Sequence, residues 1–145
     1  MAGLKSLTGK QVYLDTNIII YLLEGFEPHT TILSQLLQAI EQGQITCITS
    51  ELTVAEVLVR PFKREAADHI KTYTDALNDP RLVTLKPVTY QTFVDAAFTR
   101  AETGMKLPDA IHVAAALQAN CDIFLTNDKK IKTPKSLCLM TLDEL

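Results

Sequence analysis

The sequence predicts an α/β fold in which a central parallel β-sheet carries helices on both faces, in three layers. Short apolar runs typical of buried strands alternate with longer stretches in which apolar residues recur at helical spacing. This alternation is typical of βαβ units, whose parallel strands must be covered on both faces. Because 145 residues is the length of one ordinary domain, we expect a single domain over residues 1–145.

The first half of the chain contains two predicted strands and four predicted helices. They are a strand at 11–14, a helix at 18–23, a helix between Pro28 and Gly43, a strand at 45–48, a helix at 52–60 and a helix from about 64 to 77. Thr49 and Ser50 are predicted to cap the helix at 52–60, since hydroxyl side chains satisfy free N–H groups at helix starts. Pro61 is expected to end that helix, because proline disfavours helical geometry in the residue before it.

The second half repeats the alternation. Its predicted elements are a turn at 78–80, a strand at 82–85, a helix from Thr89 to about 102, a helix from Pro108 to 117, a strand at 123–126, a turn at 127–128 and a short strand at 137–140. Thr89 is predicted to cap its helix and Gly104 to break it. Pro108 suits the first turn of a helix that is apolar almost all round and is therefore expected to be buried.

Charge and composition exclude several classes of protein. A net charge of −3 gives no overall positive field to attract nucleic acid or anionic lipid, so a polyanionic partner must be held by local groups. The three cysteines form no CxxC motif, and we expect them to be small buried residues in a reducing compartment. The N-terminus has no signal-peptide pattern and no apolar run approaches the about 20 residues that span a bilayer. We therefore expect a cytoplasmic protein without membrane contacts.

Three aspartates stand where open parallel sheets form their sites, beyond the carboxyl ends of strands and at helix starts. Asp15 follows the first strand, Asp109 lies in the first turn of the apolar helix, and Asp128 follows the fourth strand. Each also has an ordinary explanation, as a helix cap, a complement to a helix dipole and a turn residue respectively. Their joint placement predicts that they converge on one rim of the sheet.

Glu56 is a fourth candidate, and it lies on the apolar face of a predicted helix. Two structural explanations stay open for it. Thr53 and Glu56 match a capping box if the helix begins late, and Arg60 lies one turn further on for a surface ion pair. The alternative is a buried functional role on the same rim.

Carboxylates that are brought together repel one another, which raises their pKa values unless a cation neutralises them. Oxygen ligands suit Mg²⁺ or Mn²⁺ rather than zinc. The sequence therefore predicts a Mg²⁺ or Mn²⁺ site formed by Asp15, Glu56, Asp109 and Asp128.

Four segments of the chain resemble the PIN-domain family, and in particular its small VapC-type toxin ribonucleases. They are VYLDTN at 12–17, TSELTVAEV at 49–57, LPDAIHVA at 107–114 and FLTND at 124–128, in the family's order. The resemblance implies metal-dependent cleavage of single-stranded or looped RNA at the four carboxylates. It implies that Thr16 and Thr126 support them by hydrogen bonding. It also implies the toxin of a type II toxin–antitoxin pair, which forms a homodimer and is held inactive by a small antitoxin protein.

Residues near these segments are expected to have other roles. Glu51 is interpreted as a surface acid at a helix start, Asp122 as lying at the opposite end of the sheet, and His112 as a buried histidine whose hydrogen bonds are satisfied near Asp109. Two basic clusters are candidates for phosphate contacts. They are Arg60, Lys63 and Arg64, and Lys129, Lys130, Lys132 and Lys135.

Two other functions stay open at this point. An aspartyl-phosphate phosphohydrolase also places an Asp after its first strand, but such enzymes use a second Asp two residues later, where this chain has Asn17. A non-catalytic module that binds RNA or protein would use the same acids only as caps and turns.

Overall fold

The computed structural model describes residues 3–145, so the first two residues of the predicted domain lie outside the described residues. Within this range the chain forms five strands and six α-helices. They are β1 (Gln11–Leu14), α1 (Thr16–Glu24), α2 (Thr30–Glu41), β2 (Thr46–Ser50), α3 (Glu51–Lys63), α4 (Ala67–Leu77), β3 (Thr84–Lys86), α5 (Tyr90–Thr103), α6 (Leu107–Gln118), β4 (Ile123–Thr126) and β5 (Cys138–Thr141). The predicted β1 and β4 match these bounds, whereas the other three strands shift by one or two residues.

The five strands form one parallel sheet in the order β3-β2-β1-β4-β5. The chain builds outward from β1 through β2 to β3, and then returns to the other side of β1 with β4 and β5. The strand order therefore reverses between β1 and β4, and open α/β sheets form their binding crevices at this kind of switch point.

Alternate side chains of the central strand β1 enter different hydrophobic layers. Val12 and Leu14 pack into a cluster with residues of α1, α2 and α4. Tyr13 points to the opposite face and packs against β4 and α6, where its ring stacks on Phe124. Helix α5 covers α6 from outside through Ala96 and Ala110. The predicted α/β fold, with helices on both faces of a parallel sheet, is confirmed.

Two helix boundaries near the middle of the chain differ from the prediction. Pro61 does not end α3, which continues through it to Lys63. The proline lies in the last turn, so its missing N–H removes only one helical hydrogen bond. Helix α4 begins at Ala67 rather than near Arg64, because Glu65 has a φ of 52° and this left-handed conformation interrupts the helix.

The predicted caps have mixed outcomes. Thr89 accepts a hydrogen bond from the Thr92 amide, and Gly104 ends α5 with a φ of 76°, as predicted. Ser50 precedes α3 but makes no side-chain cap, and the hydroxyl of Thr49 donates to the carbonyl of Leu14 instead. The predicted Thr49-Ser50 cap is therefore wrong, because both hydroxyls are used in contacts between strands.

The cysteines also divide into two groups. Cys47 and Cys121 are buried as expected, whereas Cys138 is exposed because it begins the edge strand β5. Among residues 3–145, none of the helices has the length and apolar character needed to cross a bilayer.

Phe124 provides a test of the core. It is fully buried and lies on Tyr13, so we expect Phe124→Ala to lower the free energy of unfolding by about 3–5 kcal/mol. Phe62→Ala, at an exposed position, is the matched control and is expected to change it by less than about 0.5 kcal/mol. Urea unfolding followed by circular dichroism measures both values. Equal losses in the two variants would contradict this description of the core.

Candidate active site

The carboxyl ends of β1 and β4 are joined by polar side chains at the switch point of the sheet. Thr126, the last residue of β4, donates a hydrogen bond of 2.6 Å to Oδ2 of Asp15, the residue that follows β1. The hydroxyl of Thr126 also accepts a hydrogen bond of 2.9 Å from the Asp128 amide. One threonine therefore ties two of the predicted site aspartates to each other.

Asp15 has a structural role as well as a place in this rim. Its Oδ1 accepts a hydrogen bond of 2.8 Å from the Thr16 amide, so the predicted cap of α1 is confirmed. The side chain is almost completely buried, with 6% of the residue exposed. Both carboxylate oxygens have partners, which fixes the orientation of Asp15 relative to both central strands.

Glu56 reaches the same rim from α3. Its Oε1 accepts a hydrogen bond of 2.6 Å from the Thr16 hydroxyl and lies 2.6 Å from Nε2 of His112. Both structural explanations suggested by the sequence are wrong. Helix α3 begins at Glu51, so Thr53 lies inside the helix and bonds to Thr49. The ion-pair distance of Glu56 is to His112 rather than to Arg60.

His112 is buried and its hydrogen bonds are satisfied, as the sequence predicted. Only 1% of the residue is exposed, and Nδ1 lies 2.7 Å from the Tyr13 hydroxyl. Its partner at Nε2 is Glu56, however, and not the Asp109 region that was expected. Since a carboxylate can only accept, Nε2 carries the hydrogen of that contact. No pattern in the sequence indicates that Tyr13, a core residue of β1, contacts this ring.

The pKa of Glu56 on α3 and the pKa of Asp109 on α6 are shifted in opposite directions. Burial raises the pKa of Glu56, but hydrogen bonds from His112 and Thr16 and the charge of His112 outweigh it, and the net shift is downward. The pKa of Asp109 is raised, first by burial and then by the negative charges of Asp15 and Asp128. Glu56 adds a smaller contribution in the same direction. Asp109 therefore experiences the charges of all three other candidates.

A cavity of about 370 Å³ opens beside Asp109 and Asp128, and we call it the acidic cavity. Its wall also contains Lys106, Lys130 and Lys132, so the predicted second basic cluster contributes two lysines to the rim. The first cluster lies at the other end of the rim. Arg60 and Arg64 line a small cavity of about 30 Å³ together with Glu56. Cationic side chains therefore flank the acidic rim on both sides.

Neighbouring polar residues have structural contacts elsewhere. Glu51 is exposed and accepts a hydrogen bond of 3.2 Å from the Val88 amide. Asp122 accepts one of 2.9 Å from the Gln11 amide, at the opposite end of the sheet, as predicted. The side-chain oxygen of Asn17 accepts from the Asn127 amide at 3.3 Å, which links the start of α1 to the loop after β4.

The donor set of this rim fits a hard divalent cation in its chemistry. All four candidates offer carboxylate oxygens, and after burial the charges of Asp15, Asp128 and Glu56 contribute to the raised pKa of Asp109, as expected for acids that lie close together. Over residues 3–145, no three His, Cys, Asp or Glu side chains are arranged as a ready-made metal site. Glu56 in particular is turned to His112 and Thr16 by its hydrogen bonds.

Comparison with known proteins gives a consistent assignment. No curated protein matches the sequence. Among solved structures, VapBC2 from Rickettsia felis, bound to a DNA fragment from its promoter, has a TM-score of 0.71 at 18% identity, covering 90% of this chain and 98% of that one. A toxin–antitoxin complex from Klebsiella pneumoniae has a TM-score of 0.64 at 24% identity, covering 87% and 94%. VapC20 from Mycobacterium tuberculosis, a sarcin-ricin loop cleaving toxin, has a TM-score of 0.59 at 14% identity, covering 78% and 86%.

These likenesses show a shared fold. The model of the PIN domain matches residues 12–136, which is most of the chain and includes all four acidic candidates. The protein belongs to the PIN-domain family.

Proposed function

We propose that this protein is a metal-dependent endoribonuclease that cleaves single-stranded or looped RNA, and that it is the toxin of a type II toxin–antitoxin pair. The observation that carries the proposal is the carboxylate rim at the switch point, where Thr126 joins Asp15 to the Asp128 amide and Glu56 reaches Thr16, the residue next to Asp15. The chain belongs to the PIN-domain family, and one solved structure of the same fold is described as a sarcin-ricin loop cleaving toxin.

Asp15, Asp109, Asp128 and Glu56 would hold Mg²⁺ or Mn²⁺. When bound, such an ion supplies activation of the attacking water and neutralisation of charge on the phosphate. Thr126 orients Asp15, whereas Glu56 is held by Thr16 and His112 and would have to turn from them to reach the ion. Cleavage would leave a 5′-phosphate and a 3′-hydroxyl, as the family likeness suggests.

The basic side chains that flank the rim would bind the RNA substrate. Lys130 and Lys132 on one side, and Arg60 and Arg64 on the other, are exposed and lie beside acidic candidates. A phosphodiester backbone that crossed the rim would meet positive charge before and after the carboxylates. This local arrangement offsets the overall net charge of −3.

The alternative of an aspartyl-phosphate phosphohydrolase is disfavoured by Asn17. That reaction needs an acid and base at this position, whereas Asn17 is an amide whose oxygen accepts a backbone hydrogen bond. A purely structural role is disfavoured for Asp109, because burial and the charges of Asp15 and Asp128 raise its pKa and so disfavour its ionised form.

The proposed partners include an antitoxin protein and a second copy of the chain. The apolar segments at 18–23 and 32–40 contribute to the wall of a small apolar cavity of about 30 Å³. Ile19, Leu22 and Leu37 form part of its wall. We propose this surface for the antitoxin, since the similar structures from Rickettsia felis and Klebsiella pneumoniae come from toxin–antitoxin complexes. The cytoplasm is the proposed site of action.

Asp15→Asn tests the proposed reaction. Asn retains an oxygen for the Thr16 amide, and its NH₂ can donate to Thr126, so the variant is expected to fold. Its loss of charge is expected to lower Mg²⁺-dependent cleavage of single-stranded RNA by at least about 100-fold. Asp122→Asn, at the opposite end of the sheet, is the control and is expected to keep wild-type activity. Wild-type cleavage that persists in EDTA would contradict the mechanism.

The charge of Asp109 gives a prediction that does not depend on RNA. Because folding raises its pKa, the ionised form is disfavoured in the native state, and stability is lost as the pH rises above the usual carboxyl range. In EDTA near pH 7 we expect Asp109→Asn to be more stable than wild type by about 1 kcal/mol or less, after allowance for solvent screening.

Comparing the stability of wild type and Asp109→Asn also tests whether the rim binds Mg²⁺. Added Mg²⁺ is expected to stabilise the wild type more than Asp109→Asn, so the difference shrinks or reverses. Thermal and urea unfolding measure both effects, with Asp122→Asn as the control for loss of a remote carboxylate. A variant that is less stable than wild type in EDTA would show that the carboxylates do not crowd one another.

The toxin assignment predicts a cellular effect. Induced expression of the wild-type chain in a bacterial host is expected to arrest growth, whereas Asp15→Asn at equal abundance is not. Growth curves with immunoblots measure this difference. Equal growth of both strains would contradict the toxin assignment, but it would not contradict the nuclease activity.

A further inference from the structure

A second cavity, of about 400 Å³, lies next to the acidic cavity between α5, α6 and the loop that follows β4. We call it the side cavity. Its size falls within the range of pockets that take small organic groups, roughly 300–1,000 Å³. The wall is mainly apolar, and Phe98, Ala114, Leu117 and Pro134 form that part of it.

The two cavities are adjacent to each other. Thr103 and Lys132 belong to the walls of both. The ammonium group of Lys132 donates a hydrogen bond of 3.2 Å to the Thr103 carbonyl, which holds the lysine on the ridge between them. The remaining N–H donors of this group are available for a phosphate oxygen. Met105 anchors the same loop, because its sulfur accepts from the Lys132 amide at 3.2 Å.

Phe98 is the aromatic part of the side cavity. With 68% of the residue exposed, its ring is open to a ligand instead of being packed in the core. Aromatic rings at such positions are the usual stacking partners of unpaired bases in RNA-binding proteins. Phe93 lies on the same helix and is 53% exposed, but it does not line the cavity.

Charge orients a nucleotide in this space. Lys132 stands on the side that faces the acidic cavity, and Glu102 stands in the wall of the side cavity. Glu102 is exposed in this wall, and its negative charge repels a phosphate. A backbone phosphate is therefore favoured at Lys132, and the uncharged base at Phe98.

We propose that the side cavity binds one unpaired nucleobase of the RNA, adjacent to the phosphodiester that is cleaved. This inference rests on the proposed ribonuclease function and adds a specificity pocket to it. The base stacks on Phe98 above Ala114 and Leu117, while its phosphate contacts Lys132. The arrangement selects substrates in which the nucleotide next to the scissile bond is unpaired, because a base held in a duplex cannot enter the cavity.

Phe98→Ala tests the pocket through cleavage. Loss of one base-stacking contact is expected to lower kcat/KM for single-stranded RNA by about 5- to 150-fold. The matched control Phe93→Ala is expected to match wild type, and Phe98→Trp, which keeps an aromatic face, is expected to retain most activity. Thermal unfolding and light scattering verify that each variant is folded and has the wild-type assembly state. Wild-type kinetics for folded Phe98→Ala would overturn the proposal.

Photocrosslinking tests the pocket without cleavage. The full-length Asp15→Asn variant is irradiated with oligoribonucleotides that carry a single 4-thiouridine at successive positions, and the linked peptide is identified by mass spectrometry. We expect one position to link to residues 95–103 or 132–134. Links only elsewhere, or none, would overturn the pocket, including the case in which an antitoxin or a second copy occupies it.

The two experiments separate this pocket from the proposed function. Crosslinking in the side cavity by a protein that cleaves no RNA would remove the nuclease assignment and keep the base site. Mg²⁺-dependent cleavage that is unaffected by Phe98→Ala would keep the nuclease and remove the base site.

Discussion

The hydrogen bond from Thr126 to Asp15 is the contact on which the polar geometry of this protein depends. It joins the carboxyl ends of the two central strands, where the strand order reverses. Asp15 also caps α1, and the Thr126 hydroxyl receives the Asp128 amide, so the start of a helix and the turn after β4 share one short chain of hydrogen bonds. The rim is rigid here because each group has a partner in a neighbouring element.

A second series of side-chain contacts reaches the rim from β1, α6 and α3. Tyr13 in β1 contacts His112 in α6, and His112 contacts Glu56 in α3. These contacts keep the pKa of Glu56 low despite burial, whereas Asp109 receives no comparable support and its pKa is raised. Of these two carboxyl groups on one rim, Asp109 is therefore the more easily protonated.

The surface around the rim divides into regions of different character. Lysines and arginines stand at both ends of the acidic groups, and an apolar cavity with an exposed aromatic ring continues past Lys132. The basic side chains suit phosphates, the carboxylate rim suits a cation, and the apolar side cavity suits a base. Local charge, and not the net charge of the chain, accounts for the proposed attraction of RNA.

The sequence by itself determined the parallel sheet, the order of its elements and the positions of the acids at strand ends and helix starts. These features follow from local patterns, namely apolar periodicity, helix-breaking glycines and the cap residues Asp15 and Thr89. Only the tertiary structure decided the remaining contacts. Ser50 faces Tyr13 instead of capping α3, Thr53 lies within that helix, and Glu56 pairs with His112 from a segment 56 residues away. Such pairings depend on how helices pack across a sheet, and sequence spacing carries no record of that geometry.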